Sequence, residues 1–184
     1  IYVLFIFLEE VNFHKKLLLA FSTKNKQDKI STVIDEIEAS VTNYLGLKTL
    51  VSLSTGFLSY LVLLFIGIDA PIFWAFLITL LNYIPTIGSL IATVFPATYC
   101  LLQFGELYPF VLVLILVGLI QIIIGNILEP RLLGNSLNIS SLATLITLSI
   151  WGSIWGITGM FLSVPISVIL IIILSQFPST RPVA

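Results

Sequence analysis

The fold class that this sequence predicts is an all-α polytopic membrane protein with inverted repeats, each pairing one full transmembrane helix with a broken helical hairpin. Three observations carry it. The 184-residue chain is 58% hydrophobic and only 9% charged, where a soluble domain carries about 25% charged residues. The charges are also segregated: between Ala70 and Thr180 only Glu106, Glu129 and Arg131 are charged. That is too little polar surface to clothe a water-soluble core, so the bilayer is the matching solvent. Finally, the apolar remainder falls into segments of two lengths, some long enough to cross a membrane and some too short.

The chain opens inside an apolar run, IYVLFIFLEE. Residues 1–8 are too few to span, since about 20 are needed. No basic n-region or small-residue cleavage site marks a signal peptide, so the run is expected to be the end of a truncated transmembrane helix. Residues 9–49 form the one polar stretch, with Lys15, Lys16, Lys24, Lys26, Lys29 and Lys48. Positive charge near membrane ends favours the cytoplasm, so the stretch reads as a cytoplasmic loop. The single histidine, His14, reads as a solvated loop residue. Ile30, Val33, Ile34, Ile37, Val41, Tyr44 and Leu45 recur at helical spacing. Asp35, Glu36, Glu38 and Asn43 fall mainly off that stripe, which defines an amphipathic helix. Its acidic face argues against anionic lipid. The helix either packs beneath the membrane domain or covers a pore.

Residues 50–176 are the expected transport domain, and 177–184 a C-terminal tail. Residues 50–68 make one full span. Residues 71–83 would reach only about 20 Å at 1.5 Å per residue, short of roughly 30 Å of hydrocarbon. The tip NYIPTIG follows, where Pro85 and Gly88 break the helix and Asn82 brings an amide. Residues 89–104 return, so 71–104 is predicted to be a hairpin. Residues 109–128 are a second full span. A short helix over 138–151, the turn WGSIWG and a return over 157–176 complete a second hairpin. The two halves share a register: LITL occurs at 77–80 and 145–148, and Gly88 pairs with Gly156, Tyr83 with Trp151 and Pro96 with Pro165. Orienting Lys48 inward places every Lys and Arg inside and gives the halves opposite directions. Inverted repeats with broken helices are a transporter architecture, with substrate near the repeat interface. Broken backbone at membrane depth is tolerated only where it is buried in protein or lines a wet cavity.

The candidate substrate pathway therefore comprises Asn82, Tyr83, Pro85 and Gly88 at the first tip, Gln121, Asn126, Glu129 and Arg131 on the second span, and Gly156 at the second tip. Polar residues within a span face protein or water, not lipid. Pro130 is expected to stop the helix and Arg131 to anchor it. Glu129 then reads as one half of a local interfacial ion pair, or as a deeper carboxylate that meets a proton, a cation or a polar solute. Catalysis has no support: the membrane segments hold no His, no paired Asp and no Ser–base pair. The lone Cys100 excludes a disulfide framework and a zinc site, no cofactor or metal is expected, and a net charge of −1 indicates no nucleic-acid partner.

NYIPTIGS, GNILEPRLLG and SLATLITLSIWGSIWGITGMFLSVPISVIL, in this order and spacing, resemble the autoinducer-2 exporter family, also described as PerM-like permeases. IYVLFIFLEE resembles the end of that family's third helix, and GNILEPR resembles its quorum-signal exporter branch. Two positions depart from the pattern: Ile124 stands where many members carry an acidic residue, and Ser140 where many carry Pro. The resemblance implies a multi-pass transporter of the bacterial inner membrane, in contact with lipid and forming a homo-oligomer. It implies export of a small polar solute such as the autoinducer-2 quorum-sensing signal. A sodium/proton antiporter is the alternative, and a non-transporting membrane scaffold the second. A transporter should show a water-lined pocket joining the NYIPTIG tip to the strip Gln121–Glu129, and a scaffold dry packing there.

Overall fold

A computed structural model describes residues 24–133 and 141–176. Among the described residues every regular element is helical: α1 (Lys24–Ile66), α2 (Pro71–Leu81), α3 (Ile87–Phe104), α4 (Leu107–Ile123), a π-helical turn (Ile124–Leu128), α5 (Glu129–Leu133) and α6 (Ser141–Ser175). The expected helix end at 1–8 and the tail at 177–184 lie outside the described residues. Four helical stretches, in α1, α3, α4 through α5, and α6, are long and apolar enough to cross a membrane, and α2 is not. Contacts divide the chain into a larger body, residues 42–168, and a smaller one made of residues 1–41 and 169–184.

In the smaller body the described residues are the two helix ends. The apolar stripe of Ile30, Val33, Ile34, Ile37 and Val41 is half-buried, and Asp35, Glu36 and Glu38 are exposed, as the amphipathic pattern requires. The sequence suggests a loop helix followed by a separate span from residue 50. The structure instead runs one helix of 43 residues through both, about 65 Å long. No proline interrupts the join, and the single Gly46 costs only about 1 kcal/mol in a helix.

The larger body holds the hairpin formed by α2 and α3. Pro71 opens α2 at the first helical position, where a missing N–H costs nothing. The far end is stapled by Gln103, whose Oε1 accepts from the Asp69 N–H at 2.9 Å and whose Nε2 donates to the Gly67 carbonyl at 3.1 Å. Leu63, Ile68, Ile78, Ala92, Ala97, Cys100, Val113 and Val117 form the core between α1, α2, α3 and α4. Burying such side chains contributes about 25 cal/mol per Å² of apolar surface taken from water. In a bilayer that drive is absent, and small residues such as Ala92 and Ala97 act by letting backbones approach.

One expectation changes. Pro130 does not stop the second span. A regular helix would press the Pro130 ring against the Asn126 carbonyl and demand an N–H that proline lacks. The chain widens instead: the Glu129 N–H bonds to the Ile124 carbonyl five residues back, and α5 continues beyond it. The second hairpin is present within α6. Gly156 adopts φ 62°, ψ −140° inside α6, a conformation open to glycine, and there the chain folds back. A Cβ at Gly159 would overlap the Trp151 carbonyl, whereas residues eight apart in a straight helix are about 12 Å apart. At the first tip a Cβ on Gly88 would overlap the Leu81 carbonyl in the same manner. Gly88 and Gly159 thus each approach a carbonyl of the opposite arm closely, and Gly156 is the residue at which α6 turns.

Candidate functional site

The first tip carries two local irregularities. Thr86 has φ 62°, ψ −60°, and the Ile87 N–H bonds back to the Pro85 carbonyl at 2.6 Å. This is a γ-turn of the rare, strained kind, adopted by a β-branched residue that disfavours positive φ. Such strain persists where surrounding contacts impose it. Here α1 imposes it. Asn82 Nδ2 donates to Ser52 Oγ at 3.1 Å, and the Tyr83 hydroxyl donates to Thr49 Oγ1 at 2.8 Å. The Tyr83 ring also stacks on Phe161 with centroids 4.8 Å apart. Replacing Thr86 with Gly should raise stability by about 1 kcal/mol, because relief of the strained turn outweighs the entropy glycine adds to the unfolded chain. Thermal unfolding of the purified protein checks this, and a lower midpoint would mean the turn is unstrained.

Across from the tip stands the π turn. Its i→i+5 closure brings side chains five apart closer to one face, which lets Gln121 and Asn126 look the same way. Pro130 has no N–H, so the carbonyl it would have served, Gly125 or Asn126, lacks that donor. Tip and π turn line one partly open cavity of about 320 Å³. The tip and α3 contribute Asn82, Ile84, Pro85, Thr86 and Ser89, α4 and the π turn contribute Gln121, Ile122, Gly125 and Asn126, and Glu129 and Lys48 close it. The Gln121 amide nitrogen is buried and finds no acceptor among the described residues.

Glu129 does not pair with Arg131. Its Oε1 accepts from Lys48 Nζ at 2.5 Å, and Arg131 lies exposed on α5. Lys48 is only 4% exposed and the Glu129 side chain 18%. A charge buried this far must be paired, and Arg131 two residues along the helix points elsewhere while α1 presents Lys48 directly. Of the residues expected on the pathway, the cavity collects Asn82, Pro85, Gln121, Asn126 and Glu129. Tyr83 and Gly88 shape the tip from behind, and Gly156 belongs to the second tip. Sequence reasoning missed Lys48, taken as a marker of the cytoplasmic side. The signal was there: Lys48, Ser52, Thr55 and Ser59 fall at helical spacing and are all buried, a polar stripe along α1 that no lipid-facing helix would carry.

Long apolar helices, two broken hairpin tips and a polar cavity closed by a buried ion pair define a polytopic membrane protein with an internal polar site. The profile of the AI-2E family transporters matches residues 1–179, and the chain belongs to that family, whose members are integral proteins of the bacterial inner membrane. It is 39% identical to the AI-2 transport protein TqsA of Escherichia coli (strain K12) over 145 residues, which cover 79% of this chain and 42% of TqsA. It is 40% identical over 154 residues to YhhT of the same organism, provisionally named a transport protein, covering 84% and 44% of the two chains. A protein of Borreliella burgdorferi (strain ATCC 35210 / DSM 4680 / CIP 102532 / B31), likewise provisionally named for transport, is 38% identical over 179 residues, 95% of this chain and 48% of its own length. The chain spans about half the length of the curated relatives it matches.

Proposed function

We propose that this chain forms the solute-handling part of an inner-membrane exporter, and that the cavity between the NYIPTIG tip and the π turn receives a small polar solute such as autoinducer-2. One observation carries the proposal: two stretches of irregular backbone, an orphaned buried amide and a buried ion pair all line the same cavity. A scaffold gains nothing from such an arrangement, since each feature costs stability. A cavity of this size sits at the small end of ligand sites. The amides and hydroxyls of its lining, Asn82, Thr86, Ser89, Gln121 and Asn126, beside the paired charges of Lys48 and Glu129, suit a hydroxylated molecule.

The antiporter reading is weaker on electrostatic grounds. Glu129, the one carboxylate among the described residues that line the cavity, is already paired with Lys48. The two hairpins, in this proposal, are related by an approximate twofold axis in the membrane plane, and the protein works as a homo-oligomer.

Vesicles holding the full-length protein, loaded in turn with the furanosyl signal and with sodium ions, provide the test. Export of the signal without sodium movement is expected. Gln121→Leu should reduce signal export about tenfold, the effect of one lost hydrogen bond of roughly 1.4 kcal/mol. Sodium movement against a proton gradient, with no signal export, would sink the proposal.

A further inference from the structure

The cavity wall opposite the tip is a π turn, a rare conformation found mostly as a single-turn bulge inside an α-helix and frequently at functional sites. Two features hold this one. Pro130 would collide with the Asn126 carbonyl in a regular helix. Lys48 fixes the side chain of Glu129, and it is the Glu129 N–H that closes the π turn on the Ile124 carbonyl. The partner that does the fixing is itself anchored. On one turn of α1 Lys48 holds Glu129 and Thr49 accepts from Tyr83, and on the next Ser52 accepts from Asn82. α1 is thus the common rail to which both walls of the cavity are tied.

We infer that Lys48 is the positioning residue of this cavity: its ion pair with Glu129 latches residues 124–128 in the π register against the proline-kinked α register that membrane helices tolerate, and release of the pair returns the segment to that kinked register and carries Gly125 and Asn126 off the cavity wall. Removing one residue's worth of helical widening turns one side of the segment relative to the other by about 100°. That rotation is large enough to exchange a wall that faces the cavity for one that faces away. The transport reading enters only in what the movement serves, the opening and closing of the solute cavity. Lys48 need not touch the solute to control it.

A labelling experiment on the full-length protein tests the latch without any substrate. In a cysteine-free background, Asn126→Cys is introduced and its reaction rate with a polar maleimide is measured on purified protein. Lys48→Met should slow labelling at least fivefold as residue 126 turns away from the wet cavity. The charge swap, Lys48→Glu with Glu129→Lys, should restore the parent rate, and Pro130→Ala should slow it with Lys48 in place. Should Lys48→Met fail to fold, the neutral pair Lys48→Met with Glu129→Gln, which leaves no charge unpaired, should label as slowly as Lys48→Met was expected to. An unchanged rate in Lys48→Met or in the neutral pair overturns the inference. So does slowing that the swap does not reverse, because Lys48 would then act through its own packing. A failure of solute export in vesicles leaves these rates untouched, so the two readings fail separately.

Discussion

Glu129→Gln in the full-length protein should cost about 3 kcal/mol of stability or more, the range seen when one partner of a buried ion pair is removed. It leaves the Lys48 ammonium, 4% exposed, without its counter-charge. Lys48→Met should cost somewhat less, because the Glu129 carboxylate is the more exposed partner and water can reach it. The double variant should lie far above the sum of the two, since no charge then remains to be compensated. Unfolding in detergent, followed by heat or denaturant, gives the three values and hence the coupling between the residues. Additive losses would mean that the two charges do not stabilise one another, and the pair would no longer explain why this cavity tolerates ions. The labelling experiment above asks a separate question of the same variants: the neutral pair is expected to recover stability but not the π register.

The second large effect is expected at the glycines that close the two tips. Gly88→Ala places a methyl group on the Leu81 carbonyl, and Gly159→Ala places one on the Trp151 carbonyl. The obstacle is backbone in both cases and cannot rotate away. Overpacking of this kind costs about 1–3 kcal/mol, and a displacement of about 1 Å at a positioned site can cost a hundredfold in rate. Each substitution should therefore reduce solute export at least tenfold while leaving membrane insertion intact, because the apolar helix lengths are unchanged. Gly118→Ala is the control: its Cβ would meet only Thr93 Cγ2, at 3.8 Å, and export should stay at the parent level. Normal export by Gly88→Ala would remove the tip from the solute path.

Much of the fold was legible because hydrocarbon punishes charge and broken helices. The segregation of charge marked the membrane domain, and the helix that proved too short, α2, was short in the sequence too. Pro85 with Gly88, and the glycines of WGSIWG, announced two reversals. Gln121, Asn126 and Glu129 stood out because polar groups inside a span must face something polar, and all three line the cavity. Less was legible where the choice depended on contact. A proline inside a helix can end it or be accommodated by widening, and nothing local to Pro130 decides between them. The close approach of Gly159 to the Trp151 carbonyl, like that of Gly88 to the Leu81 carbonyl, is a matter of packing that spacing alone does not reveal.

By itself the sequence determined that this is a polytopic helical membrane protein with two broken hairpins and a polar strip on its second span, because each of these is a matter of solvent and of local backbone chemistry. Only the tertiary structure decided what the polar strip meets. Arg131 is the nearer cation along the chain, yet α1 brings Lys48 to Glu129 from 81 residues away. The reason is physical: a lysine at a helix end looks the same in sequence whether it reaches for headgroups or turns inward, and burial beside a carboxylate is a property of packed helices rather than of either segment alone.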